Sequence, residues 1–385
     1  MADATWLWLA LRLGLGVLAG LVVIHGSAPP PCNSDNVING WKTLPPLSDN
    51  GIWFPLVGVW QHWDACWYSK IAAYGYEAGV SSTTFFPLLP AFMGSLGSLT
   101  GGNVALAGML VNAVAFIIAL TGLYQLVAAD TDSGVARRTV LYTSIFPAAF
   151  FFLAPFTESL FLAAAVWAIA GARRGRWDIA LVAGVAAGFA RPQGLLLVLP
   201  LGWEAVRTLL ARRRAAGSWR LQPGDLAPLP IALAPALAYV AFIAFTALIA
   251  GKSYFDAHQD WGSTVVTMPW DLATSALSYA LSHHAPVVAV NVGLLGLFAL
   301  LTLAGIRRLP LSYTLYTVPQ LWLTTTQQTV WPLMSTARYL AVLFPCFVVL
   351  AIVGRNERLH TVWSVLSLLL LGYLASMFIE GAMVG

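Results

Sequence analysis

Asp64 stands in a stretch of unusual composition, Trp60-Gln-His-Trp-Asp-Ala-Cys-Trp-Tyr-Ser-Lys-Ile-Ala-Ala-Tyr-Gly-Tyr76. At 3.6 residues per turn, Asp64, Trp67, Tyr68, Ile71 and Gly75 share one helical stripe, with Trp60 and Trp63 at its start. Trp and Tyr at this density belong at a boundary between membrane and water, where an apolar ring body meets a polar edge. The stretch therefore reads as a helix lying on a membrane surface, with a carboxylate placed to act as a general base. A cap, or a pair with Lys70 or an arginine, is the equally weighted structural alternative. Two arginines are also conspicuous. Arg191 and Arg338 each stand at the end of an apolar run, apart from the clusters that hold most of the basic residues. Arginine at the centre of a transmembrane helix costs about 2.5–3.5 kcal/mol on insertion scales, so one held at depth has a partner or a task. Glu158, which follows Pro155 and Phe156 at a helix start, is a natural ion-pair partner and would also suit the helix dipole.

The elements that must position these groups are dictated by composition. Of 385 residues, 59% are hydrophobic and 9% charged, against about 25% charged in an ordinary soluble domain. Too little polar surface exists to cover such a chain in water, so its solvent is lipid. Disorder, nucleic-acid binding and a secreted disulfide scaffold are excluded by the same figures, because a formal charge of +4 is spread along the chain and there are three cysteines. Fourteen of the 20 basic residues fall in short gaps between apolar runs: Arg137 and Arg138, Arg173 to Arg176, Arg207 to Arg220, Arg307 and Arg308, Arg355 and Arg358. By the positive-inside rule these gaps are cytoplasmic. The remaining connections carry Asp35, Asp49, Asp64, Glu77, Glu158, Asp256, Asp260 and Asp271, and face outward.

A consistent threading is an all-α polytopic membrane protein, one domain over 1–385, with about eleven transmembrane helices. The spans fall near 6–24, 104–128, 139–154, 156–172, 177–190, 193–210, 227–250, 286–305, 310–325, 339–354 and 361–380. Residues 26–103 form a first extracytoplasmic loop with interfacial helices; within it Phe85–Leu99, broken by prolines and glycines, is too short for the roughly 20 residues a crossing needs. The first span lacks the basic start of a signal peptide and reads as an uncleaved helix. Cys32 and Cys66 both fall outside and either form a disulfide in an oxidising compartment or remain two buried thiols.

Five ordered motifs carry a resemblance. His62-Trp-Asp-Ala-Cys-Trp-Tyr-Ser-Lys-Ile-Ala-Ala-Tyr-Gly-Tyr76, Phe85-Phe-Pro-Leu-Leu-Pro90, Pro155-Phe-Thr-Glu-Ser-Leu-Phe161, Ala190-Arg-Pro-Gln-Gly194, and Ala337-Arg-Tyr-Leu340 followed by Phe344-Pro345 resemble bacterial members of the PIG-V mannosyltransferase family over about residues 55–350. The resemblance implies a GT-C membrane glycosyltransferase that takes mannose from a polyprenyl-phosphate carrier on the extracytoplasmic face of a bacterial cytoplasmic membrane. It also implies that the acidic residue of the first outer loop, here Asp64, is the catalytic base. The resemblance does not fix the acceptor; a lipid or glycan hydroxyl is expected, and membrane lipids surround the enzyme.

That chemistry asks for little. A glycoside hydrolase usually needs two carboxyls, whereas a phosphodiester leaves as a stable anion, so one carboxylate can take the acceptor's proton while cations hold the phosphate. Candidates for substrate binding are Arg191, Arg338, Lys70, Glu158, His62, Trp67 and Tyr68, with Lys42, Lys252, His283 and His284 as weaker cations. His258 belongs to a polar, aromatic stretch (Lys252, Tyr254, Asp256, His258, Asp260, Trp261) that would line the acceptor entrance or merely form a solvated rim. Thr324 to Thr326, Gln327, Gln328 and Trp331 make a second polar patch. His258, Asp260 and Asp64 could in principle hold a divalent metal, but their spacing is not diagnostic and no cofactor is expected. No phosphate-binding loop or dinucleotide fingerprint is present. A flippase of lipid-linked sugars is the alternative from another class; it would need charges near the midplane and related halves.

Overall fold

The computed structural model describes residues 2–26, 28–29, 32, 51–77, 81–216, 223–248, 250–260, 267–326 and 331–384. Lys42, Trp261, Gln327 and Gln328 lie outside them, as do Asp35 and Asp49. Apolar runs in lipid must satisfy their backbone groups internally, and the described residues accordingly form helices joined by short turns. In chain order these begin with α1 (Ala2–Ile24), α2 (Trp53–Leu56), α3 (Asp64–Tyr74), α4 (Leu88–Leu96), α5 (Val104–Asp130) and α6 (Ser133–Ser144). The middle of the chain forms α7 (Glu158–Arg173), α8 (Trp177–Ala190), α9 (Val198–Ala216), α10 (Pro223–Leu226), α11 (Pro228–Ala232), α12 (Ala234–Leu248) and α13 (Tyr254–Asp260). The last are α14 (Pro269–Ser282), α15 (Pro286–Gly305), α16 (Leu311–Thr324), α17 (Thr336–Leu340), α18 (Phe344–Val353) and α19 (Glu357–Ile379).

Five segments among the described residues are long and apolar enough to cross a membrane: Ala4–Ile24, Val104–Asp130, Pro192–Arg214, Pro286–Gly305 and Glu357–Ile379. Counting Gly224–Ala232 and Ala234–Leu248, bent by 43°, as one span gives a sixth. The chain is thus an all-helical, multi-pass membrane protein, but length and composition do not reach the expected count of about eleven. The other expected spans are shorter helices, such as α7 with 16 residues, α8 with 14 and α18 with 10. Their surroundings explain this: α7 and α18 are buried over nearly their whole length, so neighbouring helices rather than lipid are their solvent.

Side-chain contacts define two ends. At one end Arg173 Nη2 donates to Asp130 Oδ1 at 2.6 Å, Tyr313 also donates to Asp130, Arg355 pairs with Asp132, and Tyr142 Oη lies 2.8 Å from His360 Nδ1. The start of α7, Glu158, lies at the other, about 22 Å away along the helix. α3 departs from expectation. Rather than lying on a surface, it is enclosed: Ala65 to Ile71 are all buried, and Trp60, 0% exposed, packs on Phe378 of α19. Cys32 and Cys66 are joined in a disulfide with Cα atoms 5.5 Å apart, which pins the start of α3. Cys346 is buried and free.

One turn matters to the site. Pro192 disfavours helical geometry in the residue before it, and α8 indeed stops at Ala190, with Arg191 extended at φ −159°, ψ 157°. A 3₁₀ turn, Pro192–Leu197, follows and folds back so tightly that a Cβ on Gly194 would lie 2.1 Å from the Ala187 carbonyl oxygen. That atom belongs to backbone and cannot step aside. Gly194→Ala is therefore expected to destabilise by about 2–3 kcal/mol, while Gly14→Ala, whose added Cβ meets nothing within 4 Å, is neutral or stabilising. Thermal unfolding of the two variants checks this, and equal melting temperatures would contradict the packing described.

Candidate functional site

The residues singled out in the sequence meet in a row of alternating charge. Asp64 Oδ2 is 2.6 Å from Arg338 Nη1, Arg338 Nε is 3.3 Å from Glu158 Oε1, and Arg191 Nη1 is 2.7 Å from the same Glu158 oxygen. Two carboxylates and two guanidiniums leave the row neutral. Their exposure differs in a way that assigns roles: the side chains of Glu158, Arg191 and Arg338 are 1%, 6% and 10% exposed, that of Asp64 32%. Glu158 is the anchor and Asp64 the member that an incoming molecule can touch.

Local structure puts each group there. Asp64 is the first residue of α3, and Trp63 before it has φ 56°, ψ −122°, a conformation that a bulky residue rarely adopts and that persists only where surroundings enforce it. Those surroundings include Ala382, whose carbonyl accepts from Trp63 Nε1 at 3.2 Å. Arg338 lies in α17, entered through Ser335 in the left-handed region at φ 65°. Glu158 begins α7 without acting as its cap. The segment leading to it is held by Asn112 of α5, fully buried, whose Nδ2 donates to the Phe156 carbonyl at 2.8 Å and also to that of Ala154. Ser159 Oγ adds a bond of 2.7 Å to the Phe152 carbonyl.

Aromatic faces complete the desolvated side of the row. The Tyr339 ring lies 5.2 Å from the Arg191 guanidinium and 5.3 Å from that of Arg338, with Phe156 5.4 Å from the latter. Such stacking favours the charged form of arginine where water is scarce. Tyr339 and Asn112 are the residues that reading the sequence misses. Tyr339 was signalled by its place beside Arg338 in Ala-Arg-Tyr-Leu, and Asn112 by being a buried amide inside the long apolar run of α5.

The other expected binding residues divide. Tyr68 is buried beside the row; burial raises its phenol pKa, and the charges of Asp64 and Glu158 raise it further, so it stays protonated. Trp67 stacks on Phe85 at 5.4 Å. Lys70, 1% exposed, pairs with Glu77 at 3.2 Å and lies over Trp67. His62 is buried with its ring 5.7 Å from Phe378, and burial lowers its pKa to about 4 against a hydrogen bond to the Ile379 backbone that raises it. It is neutral at pH 7 and offers no cation there. His258, in α13, stacks on Tyr254 at 5.1 Å. Lys252, Ser81 and Asp260 form a separate surface cluster, in which hydrogen bonds from Lys252 and Ser81 lower the Asp260 pKa. Among the described residues no three His, Cys, Asp or Glu side chains are grouped to hold a metal ion, so Asp64, His258 and Asp260 do not form one site.

No protein-family profile matches the chain, and no curated protein is significantly similar to it. Solved structures of similar shape include the Archaeoglobus fulgidus oligosaccharyltransferase tethered through a disulfide bond to an acceptor peptide containing the NVT sequon. It is 14% identical, with a TM-score of 0.46 over 97% of this chain and 55% of that one. The same enzyme in complex with Zn and sulfate gives 12% identity and a TM-score of 0.43 over 97% and 53%. The chain thus spans about half the length of the structures it matches.

The buried imidazole has a consequence for stability. A His62 pKa depressed from 6.5 to about 4 on folding stabilises the protein above pH 6.5, and the contribution is lost as pH falls toward 4, because the unfolded chain binds the proton first. By pH 4.5 the loss amounts to roughly 2–3 kcal/mol. His62→Gln is expected to shrink the difference in melting temperature between pH 7 and pH 4.5; an identical difference in both proteins would show that His62 is not the group responsible.

Proposed function

We propose that this chain is a GT-C membrane glycosyltransferase. In this reading it transfers mannose, with inversion, from a polyprenyl-phosphate carrier to a hydroxyl of a glycolipid or glycan, on the extracytoplasmic face of a bacterial cytoplasmic membrane. The observation that carries the reading is the Asp64–Arg338 contact of 2.6 Å, made across 274 residues with Asp64 as the exposed partner. It joins a base and a cation at the point where the family resemblance expects a catalytic aspartate. The disulfide at the start of α3 supports the oxidising side of the membrane as the location of this end. The Arg173 end would then be cytoplasmic, and the shorter buried helices would complete about eleven crossings.

The steps follow from the residues. The acceptor hydroxyl gives its proton to Asp64 as its oxygen bonds to the anomeric carbon. On the opposite face the bond from that carbon to the carrier phosphate breaks, and the electron pair leaves with the phosphate. Arg338, hydrogen-bonded to Asp64 through Nη1 and ion-paired with Glu158 at 3.3 Å from Nε, has Nη2 left to meet the departing anion; a charge-assisted bond of this kind is strongest where water is excluded. Arg191 fixes Glu158, and so Arg338, from behind. Tyr339, half-buried, supplies a ring for sugar or isoprenoid, whereas Trp67 and Tyr68 are buried within the protein. The reading invokes no divalent metal, because the phosphodiester leaves as a stable anion. The four charges of the row sit at the start of α3, the start of α7, the turn after α8 and in α17 rather than within long spans, which disfavours a flippase.

Transfer from radiolabelled polyprenyl-phosphate mannose by the purified protein tests the proposal. Asp64→Asn is expected to cut the rate by roughly 10²–10⁴-fold, the usual worth of a general base, without lowering the melting temperature by more than a few degrees. Undiminished transfer by that variant would sink the assignment of Asp64.

A further inference from the structure

Arg12 is the single charged residue between Ala4 and Ile24, the whole first candidate span. It lies about 12 Å along the helix from one end of that span and about 18 Å from the other. Such a charge is costly at depth and needs a reason. Its Nη2 donates to the carbonyl of Leu56, while Nη1 is buried without a partner among the described residues.

Leu56 is the last residue of α2, and the final carbonyls of a helix have no partner within it. α2 lies against α1, where a Cβ on Gly16 would be 3.7 Å from Leu56 Cδ2. Ile52 and Trp53, 70% and 54% exposed, turn away from the protein. Beside a membrane span that outward side meets lipid, which offers a free carbonyl no hydrogen bond. Arg12 supplies one from within the span. From Leu56 the chain continues through Val57 and the 3₁₀ turn Gly58–Trp60, all buried, to the enforced conformation of Trp63 and then Asp64.

We propose that Arg12 is a positioning residue for Asp64: by holding the end of α2 against the first span, it fixes residues 57–63 and so aims the carboxylate at Arg338. The catalytic part of this statement rests on the proposed function; the positioning part is measurable without it. Two readouts separate them, hydrogen exchange of the amides from Leu56 to Cys66 and steady-state transfer from polyprenyl-phosphate mannose. Arg12→Met removes the donor while making the span easier to insert, so a folding failure is not its natural outcome. It is expected to speed exchange across 56–66 by about tenfold or more, with no change in α7. kcat should drop by about tenfold or more, with donor KM within about twofold. Arg12→Lys, which restores a donor, should bring both values most of the way back.

Unchanged exchange across 56–66 in Arg12→Met overturns the proposal, as does exchange in Arg12→Lys as fast as in Arg12→Met. Equal acceleration in α7 would show a general loss of stability and also overturn it. If the wild-type protein transfers no mannose while exchange responds as expected, the proposed function fails and the positioning role stands.

Discussion

Glu158 Oε1 is shared by two guanidinium groups, accepting a hydrogen bond from Arg191 on the turn after α8 and lying at ion-pair distance from Arg338 on α17, and the architecture of this end of the molecule follows from that sharing. A carboxylate 1% exposed has surrendered its water, and breaking a buried pair by removing one partner costs about 3–5 kcal/mol because a bare charge is left behind. One arginine would balance Glu158; the second brings a surplus positive charge that must itself be met. Asp64 meets it. The catalytic candidate is therefore also the counter-charge that makes the arrangement neutral, and it alone in the row has substantial access to the outside.

The helices are arranged to bring these four groups together from distant parts of the chain. α7 delivers Glu158 at its first residue, Pro192 forces Arg191 out of α8 into an extended conformation, and Ser335 in the left-handed region turns the chain into α17. Asn112, reaching from the middle of α5, holds the carbonyls of Ala154 and Phe156, so that the approach to Glu158 is fixed by a span that bears no charge of its own until Asp130 at its far end. Short buried helices suffice for this work. What they lack in length they recover by packing against one another, which is why counting long apolar runs undercounts the elements around the site.

Much of this was legible in the residues. A 9% charged content says that the protein lives in lipid, and so few charges make each one informative: Asp64, Glu158, Arg191 and Arg338 could be chosen because little competed with them. The pairing of Arg191 with Glu158 could be anticipated as the structural alternative to phosphate binding, and that pair is what the structure has. Other features were hidden for physical reasons. An aromatic stripe looks the same whether it faces a bilayer surface or the interior, so the enclosure of α3 had no signature. The neutrality of His62 depends on burial by α19, more than 300 residues away in sequence, and no local pattern reports it. Tyr339 and Asn112 are ordinary residue types whose importance comes only from what they touch.

The separation of 274 residues between Asp64 and Arg338 also has a meaning in time. A ribosome adding about 5–20 residues per second needs roughly 14–55 s to make that interval, and Ala382, which receives the Trp63 indole, comes later still. During that period the aspartate has neither its counter-charge nor the contact that shapes its turn, while the disulfide to Cys66 can already have closed, since Cys32 precedes the interval and Cys66 is made two residues into it. The nascent protein would thus carry a stapled but unfinished loop until Arg338 and Ala382 have been made. A chain released before Arg338 is made would hold Asp64 without the guanidinium that balances it.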